Sequence, residues 1–268
     1  MKRRDFFTSS AAAGLALGVT GLVRGGEGAE GKSMYVLTKF SFASQEKLEV
    51  YADFLKLAVP AINRAGVEPV GVFRLKAEDN PGLSLQADPN DLYVLLPHKS
   101  LESVVAFTER IADDPAWGSA EAQAILMAPK DDPAYERYES SLLLAFDEHP
   151  KLEVHSQKET RIVQLRVYES HSIERHLKKV GMFNEGGEIE IFRKTGLNPV
   201  FFGQSIVGLL MPNLTYMLQF DDMDAMEAAW TAFRKHPDWQ ILSKDPQYKD
   251  TVSRITNLVL RPLTASQI

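Results

Sequence analysis

An internal repeat constrains the fold of this chain more than any other feature of its sequence. Gly66-Val-Glu-Pro-Val matches Gly196-Leu-Asn-Pro-Val, which lies 130 positions later. Two further landmarks recur at offsets of 123 and 122 positions: Tyr93 with Tyr216, and Pro115-Ala-Trp117 with Pro237-Asp-Trp239. The offset changes only in the loop 78–90, which is rich in turn-forming residues and is longer in the first copy. Three landmarks in the same order indicate a duplicated unit.

Each copy reads as strand, helix, strand, strand, helix, strand. In the first copy the patterns predict strands at 35–42, 70–77, 92–96 and 142–146, and helices at 44–65 and 100–112. In the second copy they predict strands at 162–169, 200–207, 214–220 and 254–260, and helices at 172–195 and 222–235. Gly186-Gly187 breaks the first of these two helices. Residues 188–191 alternate like a strand, but residues 189–195 align with the end of the first copy's helix, so we predict helix there.

This element order predicts an α+β fold. A βαββαβ unit folds into an antiparallel sheet with both helices on one face, the ferredoxin-like arrangement. One unit alone leaves its second sheet face bare, and two units in one chain can cover each other. We therefore expect two tandem ferredoxin-like units, 33–147 and 161–264, joined by a polar linker 148–160 and forming a pseudo-dimeric α+β barrel.

The first 30 residues have the pattern of an export signal. Lys2-Arg3-Arg4-Asp5-Phe6-Phe7 resembles a twin-arginine motif, and a short apolar run from Ala11 to Val23 follows it. The run is too short for a membrane-spanning helix, so we expect no stable transmembrane segment after signal removal and a periplasmic or otherwise exported location. The sequence does not fix the cleavage bond. The alternative is an uncleaved, membrane-associated N-terminus.

Charge and cysteine content exclude several function classes. The net charge is −6 and no run of Lys and Arg forms a basic stripe, so nucleic-acid binding has no electrostatic support. The chain has no cysteine, which removes disulfides, thiolate nucleophiles and thiolate metal sites.

Three segments of the second copy carry a family resemblance. Glu-Ile-Phe-Arg-Lys-Thr-Gly-Leu-Asn-Pro-Val-Phe-Phe-Gly (190–203), Pro-Asn-Leu-Thr-Tyr-Met-Leu (212–218) and Pro237-Asp-Trp239 resemble the NIPSNAP family. The resemblance extends over residues 162–264 and is degenerate over 33–147. It implies the dimeric α/β-barrel fold, whose members include cofactor-free monooxygenases, haem-binding chlorite dismutase-like enzymes and stress-response proteins. The family brings no agreed catalytic motif, so the catalytic residues stay unknown and we expect no cofactor.

Histidines and acidic residues give no metal signature. None of the six histidines pairs with another at helical spacing, as in His171 and His176, which are five positions apart. We expect no metal, and histidines that are exposed or capping; His176 as a lone axial haem ligand is the open alternative. The acidic cluster Glu185, Glu188 and Glu190 is expected on a solvated face, with a general base beside the Gly186-Gly187 turn as its alternative.

Strand alternation supplies the candidate ligand site. On strand 162–169, Leu165 and Val167 point one way, while Arg166 and Tyr168 point the other. If the apolar side faces the helices, Arg166 and Tyr168 enter the barrel, where Gln204 and Gln219 could join them. The alternative for Arg166 is a structural ion pair with a carboxylate of the other copy.

These patterns predict two classes of function. The first is an exported barrel protein that binds a small apolar or aromatic ligand, or a protein partner. The second is a cofactor-free monooxygenase-like or isomerase-like enzyme that uses the pocket between the sheets. The internal pseudo-dimer could be complete as a monomer, or the protein could form a homodimer.

Overall fold

The computed structural model describes residues 31–82 and 90–268. The predicted export signal, residues 1–30, lies outside the described residues. Eight strands are present in the described ranges: Met34–Ser41 (β1), Gly71–Leu75 (β2), Asp91–His98 (β3), Arg137–Ala145 (β4), Ile162–Glu169 (β5), Asn198–Val207 (β6), Asn213–Phe220 (β7) and Arg254–Pro262 (β8). The same ranges contain seven α-helices: Gln45–Arg64 (α1), Leu101–Ala112 (α2), Ala120–Leu126 (α3), Ile173–Phe183 (α4), Glu188–Lys194 (α5), Met223–Lys235 (α6) and Pro237–Leu242 (α7).

Side-chain caps fix where the long helices begin. Ser44, Ser100, Ser172 and Asp222 each accept a hydrogen bond from the backbone N–H three residues later, which satisfies a donor that the helix itself leaves free. The predicted break lies at Gly187, whose φ of 79° is in the left-handed region that favours glycine. Residues 188–194 continue as α5, so helix was the correct prediction for this alternating segment.

The strands close into one barrel with the order β1-β3-β2-β8-β5-β7-β6-β4. We call β1–β4 with α1–α3 the first half and β5–β8 with α4–α7 the second half. Within each half the strands follow the ferredoxin-like order, and all neighbouring pairs are antiparallel. The halves join where β2 pairs with β8 and β4 pairs with β6. The predicted α+β barrel of two ferredoxin-like units is confirmed.

Alternation on β5 is opposite to the prediction. Val163 and Leu165 pack inside the barrel, whereas Tyr168 packs with α4, α5 and α6 outside it. Arg166 lies on the same outer face as Tyr168, against Trp230 of α6. The prediction failed because both faces of β5 are covered, so an apolar side chain alone does not identify the inner face.

The C-terminal tail fills one end of the barrel. Ile268 is fully buried in the interior cluster, and the amide N–H of Gln267 donates to the carbonyl of Val70 at 2.9 Å. Ser266 accepts from the N–H of Val72 at 3.0 Å. The apolar interior is therefore packed at this end, and the open space lies towards the other end.

Across 31–82 and 90–268, no helix is both long and apolar enough to cross a bilayer.

Candidate functional site

A cavity of about 1000 Å³ occupies the end of the barrel opposite the C-terminal tail. Leu37, Leu165 and Leu258 give it an apolar floor, and they extend the interior core around the tail. Its wall carries hydroxyl groups from Tyr93, Ser141 and Thr215. A volume of this size with an apolar floor and a few polar groups is typical of a small-molecule site.

The charged side chains at the cavity are already paired. The Nζ of Lys39 lies 3.0 Å from Glu139 and 3.9 Å from Asp91. The Nε of Arg254 lies 3.8 Å from Glu169. Each positive charge on this wall therefore has a negative neighbour, which favours a neutral occupant over an ion.

Tyr93 offers a hydroxyl group at this wall. Burial, reinforced by Asp91 and Glu139, raises the pKa of Tyr93, so the phenol keeps its proton at physiological pH. The group can therefore donate a hydrogen bond to a carbonyl or ether oxygen in the cavity.

Asn213 holds the wall between β6 and β7. Its Oδ1 accepts from the hydroxyl groups of Ser205 at 2.6 Å and Thr215 at 3.2 Å, and its Nδ2 donates to the carbonyl of Leu209 at 2.8 Å. Leu209 also lines the cavity. This network fixes the β6–β7 turn and orients the Thr215 hydroxyl at the cavity wall.

Asn80 completes the wall beyond the end of β2. Its Nδ2 donates to the carbonyl of Val259, and its Oδ1 accepts from the Val259 N–H, both at 2.8 Å. The side-chain amide of Asn80 thus takes the place of a strand residue as the hydrogen-bond partner of β8. Sequence reasoning missed this residue, although a side-chain amide has the same donor and acceptor as a peptide group.

The four predicted ligand-binding residues do not meet in the cavity. Arg166 and Tyr168 are neighbours on the outer face of β5, and Gln204 lies on the outer face of β6, the side of Phe202. Gln219 faces inwards but is fully buried. Its Oε1 accepts from the backbone N–H groups of His155 and Ser156, at 2.6 and 2.9 Å, so it anchors the linker.

Arg166 lies within an aromatic layer between the sheet and the helices. Its guanidinium carbon is 4.8 Å from the ring centroid of Trp230 and 5.4 Å from that of Tyr168. The Tyr216 hydroxyl donates to the Tyr168 hydroxyl at 3.0 Å. Burial acts to lower the pKa of Arg166, but Tyr216, Tyr168 and Glu188 raise it overall, so the side chain stays charged.

A buried ion pair lies in the same layer. The Nζ of Lys179 is 2.7 Å from Oε2 of Glu188 and 4.5 Å from the ring centroid of Phe183. Burial raises the pKa of Glu188, while Lys179 and Arg166 act to lower it. The expectation of a solvated Glu188 was wrong, because α5 turns this residue towards α4 after the Gly187 break.

Three of the six histidines differ from expectation, whereas His171 is exposed and His236 caps α7, as expected. His98, His149 and His176 are buried, not exposed. The Nε2 of His149 lies 3.2 Å from the carbonyl of Val200, and its Nδ1 lies 3.3 Å from NH2 of Arg193. Arg193 can only donate, so Nδ1 accepts, Nε2 carries the proton and the ring is neutral. In the described part of the chain, no three His, Cys, Asp or Glu side chains group in a way that could hold a metal ion.

The two tryptophans that recur at matching positions of the repeat pack as anchors. Trp117 lies 6.0 Å from Phe54, and Trp239 lies 4.4 Å from Phe233, between ring centroids. Both therefore fix the segment that follows the second helix of each copy.

A family model and a solved structure are each similar to part of the chain. The NIPSNAP family model matches residues 163–267, which cover β5 to β8 and the helices α4 to α7 between them. The match to the NIPSNAP family thus covers 105 of the 268 residues. A NIPSNAP-like domain protein from Burkholderia xenovorans is 19% identical, with a TM-score of 0.37, over 41% of this chain and 91% of that one. No curated protein matches the chain.

Two solved structures are similar to both halves of the chain. A candidate monooxygenase from Lactobacillus acidophilus NCFM has a TM-score of 0.57 and 10% identity, over 88% of this chain and 97% of that one. A candidate monooxygenase from Fusobacterium nucleatum subsp. nucleatum ATCC 25586 has a TM-score of 0.54 and 11% identity, over 87% and 93%. At such low identity the likeness shows the fold alone.

Proposed function

We propose that this protein binds a small, neutral, largely apolar or aromatic molecule inside the barrel. The cavity of about 1000 Å³ carries the proposal. Its floor of leucine side chains favours an apolar body, because burying that body removes apolar surface from water. The hydroxyl groups of Tyr93, Ser141 and Thr215 can orient one or two polar atoms of the ligand.

The paired charges of the wall support a neutral ligand. An anion would compete with Glu139 for Lys39, and a cation would compete with Lys39 for Glu139, at a pair separated by 3.0 Å. Breaking such a partly buried pair leaves one charge without its partner, which is unfavourable. A neutral ligand leaves the pair intact.

The enzyme alternative has less support from this geometry. A monooxygenase-like or isomerase-like reaction between the sheets rests on the fold resemblance and on Arg166 and Tyr168 as groups of that pocket. Both side chains lie on the helix-facing side of β5 instead. Binding is therefore the function that the barrel cavity supports better.

Nile red, a neutral aromatic dye whose emission rises in apolar surroundings, tests the proposal. Ser141 lines the cavity, whereas the adjacent Ser140 is exposed on the other face of β4. We expect Ser141→Trp to weaken dye binding at least about tenfold, equivalent to about 1.4 kcal/mol, because the indole fills part of the cavity. The matched control Ser140→Trp should bind the dye as the wild type does.

Two results would contradict cavity binding. One is the absence of saturable dye binding by the folded wild-type protein. The other is equal binding by the wild type, Ser141→Trp and Ser140→Trp, which would place the dye on the outer surface. Circular dichroism of each variant establishes that the barrel has folded before the affinities are compared.

We also propose that residues 1–30 direct export by the twin-arginine route to the periplasm, as Lys2-Arg3-Arg4-Asp5-Phe6-Phe7 suggests. Replacement of Arg3 and Arg4 by lysine should leave precursor in the cytoplasm. Fractionation and immunoblotting of tagged protein measure this. Unchanged export of the lysine variant would rule out the twin-arginine route.

A further inference from the structure

The two halves differ sharply in the layer between sheet and helices. Strands β1 and β3 pair in the same register as β5 and β7, with Ser41 opposite Asp91 and Glu169 opposite Asn213. When the two halves are aligned by these registers and by the helix caps, five residues of the first half are equivalent to five of the second. These matches are Thr38 with Arg166, Phe40 with Tyr168, Tyr51 with Lys179, Ala58 with Glu188, and Val94 with Tyr216. The predicted match of Tyr93 with Tyr216 is thus wrong by one residue, because Tyr93 faces the barrel interior and Tyr216 faces the helices.

The contacts confirm these matches. In the first half the ring centroids of Phe40 and Tyr51 are 5.0 Å apart. In the second half the Nζ of Lys179 lies 5.6 Å from the ring centroid of Tyr168. The same pair of positions therefore meets in both halves, once between aromatic rings and once between a ring and an ammonium group. The first half also demonstrates that this layer can be built without buried ions, so the fold itself does not require them.

The ionic layer of the second half carries an excess positive charge. Lys179 pairs with Glu188, and no carboxylate within the described ranges forms an ion pair with Arg166. The Nε of Arg166 is buried and has no hydrogen-bond partner there. Glu188 is the carboxylate that acts on Arg166, but it is already paired with Lys179 at 2.7 Å. The partly buried guanidinium group therefore has no carboxylate of its own, and a bound anion would supply one.

Tyr168 is arranged as a donor beside this cation. Its hydroxyl oxygen accepts from Tyr216, whose own pKa is raised by burial, so Tyr216 remains a donor. The Tyr168 proton has no acceptor among the residues that the structure describes, and it is free to donate to a ligand. An arginine and a tyrosine hydroxyl at adjacent places on one strand face match two oxygens of one carboxylate.

Arg166 is reachable from open space. It is only partly buried, unlike Lys179 and Glu188. Its cross-strand neighbour Asn257 lines the large cavity, and so does Gln164, which accepts a hydrogen bond from the indole N–H of Trp230 at 2.7 Å. The space therefore extends to the side chains that surround Arg166.

We propose that the second half holds a second binding site, for a small organic carboxylate, on the helix-facing side of β5 and beside the part of the cavity that Gln164 and Asn257 line. The guanidinium group of Arg166 pairs with the carboxylate, the Tyr168 hydroxyl donates to it, and Trp230 contacts its apolar part. The Lys179–Glu188 pair is neutral overall, so Arg166 supplies the charge that attracts the carboxylate. This site does not depend on occupation of the barrel interior.

Benzoate is the probe, and benzamide is its neutral counterpart of the same shape. Trp230 reports binding because the Arg166 guanidinium lies 4.8 Å from its ring. The chain has 3 tryptophans, so replacing Trp117 and Trp239 by phenylalanine leaves Trp230 as the one that remains. We expect saturable quenching by benzoate and at least about tenfold weaker binding of benzamide. Arg166→Gln should weaken benzoate binding at least about tenfold, whereas Arg137→Gln, an equal loss of charge at an exposed position, should not.

Tyr168→Phe is the second variant, and Phe40 of the first half shows that phenylalanine fits this position. It should weaken benzoate binding about three- to tenfold through loss of one hydrogen bond. Ser141→Trp should keep the benzoate affinity while losing Nile red, which separates this site from the barrel cavity. Failure of the wild type to bind benzoate, or equal affinity for benzoate in Arg166→Gln and the wild type, would overturn the proposal.

Discussion

The ammonium group of Lys179 lies 2.7 Å from the carboxylate of Glu188, and both side chains are at least nine-tenths buried. The pair joins α4 to α5 across the Gly186-Gly187 break, where the helix has lost its backbone continuity. At the matching positions of the first half, Tyr51 and Ala58 lie on a single continuous helix. The ion pair thus connects two helices that in the other copy are one.

Removal of one partner of this pair should be strongly destabilising. Lys179→Met leaves a buried carboxylate without its counter-ion, and we expect a loss of about 3–5 kcal/mol in the free energy of unfolding. Urea unfolding monitored by circular dichroism measures this loss. The double variant Lys179→Met with Glu188→Leu removes both charges, so it should be more stable than Lys179→Met alone. Additive effects of the two substitutions would contradict direct pairing.

The loss of folding stability at acidic pH should depend on His149. Burial lowers the pKa of its imidazole below 6.5, and Arg193 and His155 act in the same direction against Glu153. The unfolded chain therefore binds the proton more readily, so stability should fall as the pH drops below about 6.5. Protonation would also place a second positive charge beside Arg193.

Urea unfolding of the wild type and His149→Gln, at about pH 7.5 and about pH 5.5, tests this prediction. Glutamine can still donate to the Val200 carbonyl, which the Nε2 of His149 contacts at 3.2 Å, but it does not titrate. The variant should lose less stability on acidification than the wild type. His98 and His176 also have pKa values lowered by burial, so part of the acid sensitivity should persist. Identical losses in the two proteins would show that His149 is not involved.

Local signals and the repeat sufficed to predict much of the architecture. The strand 162–169 has the predicted bounds, and Ser44, Ser172 and Asp222 cap helices because their short side chains satisfy free N–H groups. The repeat then specified the barrel, since two copies must cover each other's bare sheet faces. These features depend on residues that are close in sequence or on the comparison of one copy with the other.

The candidate site was harder to predict because it depends on contacts over long sequence distances. Leu165 and Tyr168 are both buried, so neither identifies the inner face of β5. The pairing of Lys179 with Glu188 follows from the direction that α5 takes after Gly187, which no local pattern encodes. Asn80 reaches Val259 across 179 positions through two hydrogen bonds.

The amide of Gln219 should contribute stability through the linker. Its Oε1 accepts hydrogen bonds from the backbone N–H groups of His155 and Ser156, and its Nε2 donates to the carbonyl of Ser156 at 3.1 Å. Gln219→Leu leaves these groups without a partner, and we expect a loss of about 2–4 kcal/mol in the free energy of unfolding. Gln204→Leu is the matched control at the other predicted glutamine, with an expected change within about 0.5 kcal/mol. Similar losses in both variants would argue against a specific anchoring role.

The Asn80 side chain should protect one particular amide of β8. The Val259 N–H donates to Asn80 at 2.8 Å, on the side of β8 that faces away from β5. Asn80→Ala removes that acceptor and the donor to the Val259 carbonyl, so we expect a loss of about 1–3 kcal/mol in stability. Amide hydrogen exchange, followed by NMR, should show faster exchange at Val259 than in the wild type. Amides of β5 that bond within the sheet should keep their relative protection, because their partners do not change. An unchanged exchange rate at Val259 would mean that water or another group replaces Asn80 without loss.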